Sequence, residues 1–550
     1  MILGLYKEQW ALWVLTLLLL LADWGYGLPS PERSELLTQG LGLSADEIRH
    51  NYGNMPDNSP KAYEISGHHK FLNLNEYLLY SSWPDEWFTY NILNRMDPDS
   101  FNLRPVRQVY GTAYIYPVGG LIFALNKMGV FTLGDDALYY LDHPQDMARM
   151  IMAGRSLGLL SFLGMLFIVG RWGNQYLGRW ASGLAMLALF LSPVVIFNAD
   201  VSKPHLYAGF LATICLYSLF RQHDSPRRWR LILAAVCAGL AVGSSVTAGP
   251  LLIFVPFLLW QKDRKKWLWQ SASVITGALL VWLLSNPYLL LDFGTFFREL
   301  QDHSGSGPWD YFNPTSSKYK IAFNSLFLYS YPFPLALFGL LGAISLWRKG
   351  QVIWQRLLLG SLLAFLVVIP TYGINRFSLF LTPILVLCIG EGLDLVFLRL
   401  LEDRKIIAGT LLTIVLLPGI LNAASIHRDA IFDKEWLKNT RQWVQKDLRG
   451  QATTVGILNR HLSPVIYPPF PFLRLKMVDL NKYQPNLKKP DFVITGAYTD
   501  TDKRWHEHPL FSEYRELYNL GRRPDWDWLA DWRYSSKERV AGKVYARKSP

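Results

Sequence analysis

The stretch 262–287, KDRKKWLWQSASVITGALLVWLLSNP, decides the fold class. Its first five residues include four cations, Lys262, Arg264, Lys265 and Lys266, and 267–287 holds no charge at all. A hydrocarbon core about 30 Å thick needs roughly 20 apolar residues of helix to cross it. Residues 267–287 meet that length, and the positive-inside rule keeps the cationic run ahead of them in the cytoplasm. The stretch therefore reads as a membrane span with its N-terminal end inside.

Runs of the same kind recur at 9–27, 150–170, 181–198, 205–220, 231–247, 249–260, 321–347, 357–371, 377–398 and 406–424, so the sequence predicts about 11 spans. The run 249–260 is short, and Gly249-Pro250 breaks it from its predecessor. Lys7 precedes the first run and no small-x-small cleavage site follows it, so 1–27 reads as an uncleaved anchor. The short loops 171–180, 221–230, 262–266, 348–356 and 399–405 hold 41 residues, of which 16 are Lys or Arg. The alternate loops 199–204, 244–249, 288–320 and 372–376 hold 50 residues with only five. The first set is cytoplasmic on this count. Parity then puts 28–149 and 425–550 outside. The Tyr-rich stretch 110–130, broken by Gly and Pro, cannot span and reads as a helix lying in the outer interface.

Composition agrees. The 550 residues are 51% hydrophobic and 18% charged, against about 25% charged in soluble domains. That excludes a disordered chain and a single soluble core. A net charge of +12 would suggest nucleic acid if it lay on one soluble face; here the cations lie in the cytoplasmic loops and report topology, so no nucleic-acid partner is expected. Cys215, Cys237 and Cys388 sit in apolar runs, which leaves no disulfide framework and no cysteine metal site. The expected organisation is a first anchor over 1–27, an external loop over 28–149, an all-α polytopic membrane domain over 150–424, and a small α/β domain over 425–550. That last domain shows a helical stretch at 433–448 and strand-like runs at 453–458, 491–495 and 543–547.

Polar residues of functional type gather at the expected outer ends of spans. Trp83-Pro84-Asp85-Glu86-Trp87 places two carboxylates between two tryptophans. They either stabilise the first turn of a helix behind a proline, or supply a general base at the interface. Asn198-Ala-Asp200-Val-Ser-Lys203-Pro204-His205 offers an acid, a cation and an imidazole, as a polar turn or as a site. Arg376 opens a late helix and suits either lipid headgroups or one particular phosphate. Arg155 lies just inside its span, as a structural residue or a further part of that site. Glu391 and Asp394 lie near Arg399 at an inner end and read as local pairs. His68, His69 and His303 lack metal-ligand spacing.

These groups together resemble the GT-C superfamily of membrane glycosyltransferases, in the branch of protein O-mannosyltransferases and lipid A aminoarabinose transferases. The similarity runs in order over most of the chain. It takes in Pro84-Asp85-Glu86, the interfacial helix from Tyr110 to Gly120, Gly154-Arg155-Ser156-Leu157, Ser192-Pro193 and Lys203-Pro204-His205-Leu206. Further on it takes in Gly243 to Gly249, Asn286-Pro-Tyr-Leu-Leu-Leu-Asp292, Arg376-Phe377 with Pro383, and the helix opening at Glu435-Trp436. The family usually has an aspartate where this chain has His205; Asp200 one turn away, or a protonated His205 on phosphate, are the two readings of that change.

The resemblance implies a GT-C-like fold and a sugar donor on a polyprenyl phosphate in the membrane lipid. It implies transfer to an acceptor hydroxyl of a protein, lipid or glycan, with inversion. Asp85 would be the base, with Glu86 supporting it. Lys203, His205 and Arg376 would hold the donor phosphate, with Arg155 and Asp200 in support. The residues indicate no cofactor, and a divalent metal ion stays open. Long external segments without N-glycosylation triplets or cysteines point to a bacterial or archaeal plasma membrane, with the site and C-terminal domain extracytoplasmic. The competing reading is a transporter or lipid flippase, which predicts polar residues at the midplane and inverted repeats. A non-catalytic lipid-binding scaffold is the third.

Overall fold

A computed structural model describes residues 4–38, 45–53, 63–83, 86–94, 96–105, 107–108, 110–304, 331, 333–368, 379–432, 435–448, 453–464, 466–496, 501–520 and 542–548. The chain divides into two compact units. The first holds Met1–Trp24, Phe88–Ile122 and Ala153–His427; the second holds Gly25–Trp87, Phe123–Met152 and Arg428–Pro550.

The first unit is helical. Among the described residues four helices are long and apolar enough to cross a membrane: Pro144–Tyr176, Arg264–Ser285, Leu379–Leu400 and Glu402–Leu421. The expected span 181–198 is a pair of helices, Arg179–Phe190 and Pro193–Ala199, apolar enough together to be one span and bent by 62°. Pro193 explains the break: it has no N–H to continue the ladder but fits the first turn of a new helix, which Ser192 precedes. Lys7–Asp23, Pro204–Asp224 and Arg228–Ser244 fall on the expected spans 9–27, 205–220 and 231–247. The expected span 249–260 begins as a 3-10 helix, Val246–Ile253, before Phe254–Leu258, as its Gly-Pro break demands. The first ten residues of the expected span 321–347 lie outside the described residues, and Phe333–Arg348 covers the rest.

Helix packing in this unit depends on small residues. A Cβ on Gly342 would run into the Cys388 carbonyl, and one on Gly392 into that of Phe338. The helices Phe333–Arg348 and Thr382–Leu393 therefore approach backbone to backbone. At the end of that pair the expected local pairing is present. Glu391 is fully buried, meets Lys349 Nζ at 2.7 Å, accepts from Ser345 Oγ at 2.8 Å, and lies 3.4 Å from Arg399, which also pairs with Asp394. A second buried pair joins distant parts of the sequence: Asp23 and His427 are hydrogen-bonded, and the Phe190 ring lies nearly parallel to the imidazole at 6.4 Å.

The second unit carries a five-stranded sheet in the order β2-β1-β3-β5-β4, where β1 is Thr454–Ile457, β2 Lys476–Asp479, β3 Phe492–Ile494, β4 Tyr514–Asn519 and β5 Lys543–Arg547. The first three strands are parallel and β5 runs antiparallel to β3 and β4. The expected strands at 453–458, 491–495 and 543–547 are β1, β3 and β5, and the helix expected at 433–448 is Glu435–Asp447. The sheet does not stand alone. Residues 63–65 run along β2, with Ile65 N donating to Met477 O and Asp479 N to Tyr63 O. Leu36, Leu37, Ile48, Leu74, Tyr77 and Leu78 share one core with Trp443, Val455, Phe470, Phe472 and Val544. Part of the long first loop thus supplies a layer of the C-terminal domain, and an apolar core of that size is what stabilises it.

Candidate active site

Sequence chemistry dictates the connection at 198–206. Asp200 ends the short helix Pro193–Ala199, and Lys203 precedes Pro204, the first residue of the helix Pro204–Asp224. A residue before proline is pushed to extended backbone, and Lys203 has φ −137° and ψ 152°. The whole stretch is buried: Asn198 and Ser202 fully, Lys203 to 1% exposure, His205 to 5% and Asp200 to 6%.

Three elements of the same unit hold this connection. From the helix Trp87–Leu93, Thr89 Oγ1 donates to Ser202 O at 2.6 Å. From Thr112–Lys127, the Tyr114 hydroxyl meets Ser202 Oγ at 3.1 Å, and its ring lies 6.0 Å from Tyr207. From Pro144–Tyr176, Gly154 and Gly158 allow close approach, since a Cβ on Gly154 would run into Tyr90 Oη and Ser202 Oγ, and one on Gly158 into Ala199 O. Arg155, next in line, is fully buried and donates to Trp24 O at 3.0 Å. Tyr110 stands edge-on to the His205 ring at 6.1 Å.

Two further motif stretches serve this wall. Asn286 Oδ1 accepts from Thr112 N at 2.7 Å, and Thr112 Oγ1 donates to Ser285 O at 2.5 Å, which together start the Thr112–Lys127 helix. Gly111 N donates to Ser244 O, and a Cβ on Gly111 would strike the Gly243 carbonyl. Asp292 bonds Arg104. The Thr295 hydroxyl and then the Arg104 guanidinium hold the Asp292 carboxyl below the usual range. The polar ends of the Asn286–Asp292 stretch therefore brace Arg104 and Thr112.

In the other unit, Glu86 is buried to 1% exposure and accepts from Ser81 Oγ. Its flanking tryptophans are packed: Trp83 lies 6.1 Å from Tyr26, and Trp87 stacks on Tyr80 at 5.3 Å and 9°. Asp85 and Arg376 lie outside the described residues. Among the described residues no three His, Cys, Asp or Glu side chains form a group able to hold a metal ion.

Residues 140–370 match the sequence model of glycosyltransferase family 87, a range that includes Arg155, Asp200, Lys203 and His205. The chain is a membrane glycosyltransferase. No curated protein matches it by sequence. Among solved structures it is similar to ArnT from Cupriavidus metallidurans bound to undecaprenyl phosphate, at 12% identity over 88% of this chain and 98% of that one, with a TM-score of 0.46. It is also similar to two structures from Archaeoglobus fulgidus. One is an oligosaccharyltransferase complex with Zn and sulfate, at 12% identity over 79% of this chain and 67% of that one, with a TM-score of 0.45. The other is the oligosaccharyltransferase AglB with an inhibitory peptide and a dolichol-phosphate, at 11% identity over 93% and 73%, with a TM-score of 0.45.

Sequence reasoning about the transferase picked out Arg155, Asp200, Lys203 and His205 by residue type. It missed Thr89, Tyr114 and Ser202, ordinary hydroxyls whose work is set by packing. One signal was available for them: Gly154 and Gly158 are four apart, so they mark one helix face that a neighbouring backbone must approach.

Proposed function

We propose that the chain moves a sugar from a polyprenyl-phosphate carrier to an acceptor hydroxyl on the extracytoplasmic side of a bacterial or archaeal plasma membrane. Asp85 takes the proton of the hydroxyl, whose oxygen attacks the anomeric carbon. The bond to the carrier phosphate breaks, and the phosphate leaves with the electron pair, so the anomeric configuration inverts. A phosphate leaving group needs charge stabilisation more than protonation. Lys203 and Arg376 supply it, with His205 when protonated. Glu86 supports the base, and Arg155 and Asp200 support the phosphate residues. About eleven spans carry this machinery, and the loop 28–149 and the domain 425–550 are external.

The observation that supports this most is the buried Asp200–His205 stretch within the family-87 match. Lys203 and His205 lie at the start of a 21-residue helix, where the first N–H groups and the dipole favour an anion. Incubating the purified protein with labelled polyprenyl-phosphate sugars and membrane extract tests the reading. Label on a new product supports it; movement of intact donor across the membrane without transfer would replace it with a flippase.

A further inference from the structure

The helix Phe293–Ser304 follows the peripheral span Arg264–Ser285 after one short turn of helix, Tyr288–Leu291. Its residues fall on three arcs at 100° per residue. Asp292, Thr295 and Glu299 share one. That arc faces protein: Arg104 bonds Asp292, Gln108 Nε2 donates to Asp292 O at 3.3 Å, and Gln108 N donates to Glu299 Oε2 at 2.5 Å. Phe293, Phe296 and Phe297 share the second, with ring centroids 6.1–6.3 Å from Phe293. Gly294 and Arg298 lie on the third.

Among the described residues nothing covers the phenylalanine arc. Phe293 is 61% exposed and Phe297 40%, and the preceding Leu290 and Leu291 are 69% and 75% exposed. This apolar strip continues the outer face of Arg264–Ser285, where Leu280 and Leu284 are 55% and 81% exposed and only 17% of the apolar window is buried. A face that is continuous with a lipid-facing span has lipid as its neighbour, since large apolar patches in water are rare. The hydrogen bonds to 104–108 fix the rotation of the helix, so the phenylalanines cannot turn inward without breaking them.

We propose that Phe293–Ser304 is an interfacial helix that seats Phe293 and Phe297 in the bilayer surface at the C-terminal end of Arg264–Ser285, with Arg298 at the headgroup and water side. The occupant is bulk membrane lipid. The seat carries a consequence: Arg104 and Gln108 hang on this helix, and Tyr110, two residues after Gln108, meets His205. The depth of the helix in the membrane thereby sets the position of Tyr110. The proposal rests on the membrane assignment and not on the transfer reaction.

The test uses the full chain in nanodiscs of phosphatidylethanolamine and phosphatidylglycerol, 3:1. Phe293→Cys, Phe297→Cys and Arg298→Cys are each spin-labelled; the native Cys215, Cys237 and Cys388 are buried and do not compete. Collision rates with oxygen, which partitions into lipid, are compared with those of a water-soluble nickel chelate. The expected result is oxygen-dominated relaxation at 293 and 297 and chelate-dominated relaxation at 298. Chelate access at 293 and 297 equal to that at 298 overturns the proposal. So does protection of 293 and 297 from both reagents, which would mean that protein covers the face.

Discussion

Two buried polar clusters in the membrane unit are built to opposite rules. Around Glu391, two carboxylates meet two cations and a serine hydroxyl; the cations reach out, with Lys349 32% and Arg399 41% exposed. The connection 200–205 holds one carboxylate beside a lysine and a histidine, all nearly sealed from solvent, and it is held in place by Thr89, Tyr114 and close backbone packing. The first cluster is balanced and lies within one pair of helices, which is how a structural clamp looks. The second fixes a lysine, a carboxylate and an imidazole through several elements, and it carries net positive charge only when His205 is protonated. The difference teaches that burial alone does not mark function; the number of elements committed to positioning does.

The largest effect expected concerns Asp85, the proposed base. Asp85→Asn keeps the size but not the proton acceptor, so transfer should fall by about 10²–10⁴-fold while the protein still reaches the membrane and binds donor. Glu86→Gln should cost less, because its carboxylate already accepts from Ser81. Turnover by purified variants decides it, and a dead Glu86→Gln beside an active Asp85→Asn would move the base by one residue.

Glu391→Ala should do the reverse. It leaves Lys349 without its acid while Arg399 keeps Asp394, and both cations can turn to water, so the cost is about 1–3 kcal/mol of stability. Thermal unfolding in detergent should show the loss, with turnover per folded molecule unchanged. A fall in turnover with the fold intact would erase the contrast between the clusters.

Thr89→Val removes the 2.6 Å hydrogen bond to Ser202 O and should weaken donor use by about tenfold, since one buried bond of this kind is worth about 1–2 kcal/mol. Thr89→Ser should restore it. The readout is the donor KM, and equal loss of folded protein without a change in KM would make Thr89 a packing residue only.

The smallest effect sharpens the comparison from outside the membrane unit. Burial pushes the Glu76 carboxyl up to about 8, and its Oε2 lies 3.1 Å from His461 Nε2. A carboxyl raised in the folded state binds more protons folded than unfolded between its ordinary value and about pH 8, so its contribution to stability declines as pH rises through that window. Glu76→Gln should flatten the decline. Hydrogen exchange of Gly67–Leu79 at pH 5.5 and 8, corrected for intrinsic rates, measures it; an unchanged slope would remove Glu76 as the cause.

Hydrophobic length and loop charge made the helices legible, because a span needs only local composition. Length and composition gave the span 181–198 without the bend at Pro193, which starts a second helix. The strands β2 and β4 escaped notice: Lys476–Asp479 and Tyr514–Asn519 are short and mix charge with apolar residues, without clear alternation. The union of the first loop with the C-terminal sheet was illegible for another reason. Tyr77 bonds Tyr467 O, and Lys70 bonds Leu475 O, across about 400 residues of chain, and no local pattern encodes such a pairing. In the site, cations and acids announced themselves by type. The hydroxyls that position them did not, because a threonine acquires that role only from what packs beside it.

The central claim is that the buried 200–205 segment holds the phosphate of a lipid-linked sugar. Binding of radiolabelled polyprenyl phosphate to purified wild type and Lys203→Ala tests it most directly. Loss of one charge-assisted contact, about 1.5–3 kcal/mol, predicts affinity lower by about 10–150-fold in the variant, with Glu391→Ala binding as wild type. Equal affinity of Lys203→Ala and wild type, with both folded, would contradict the account.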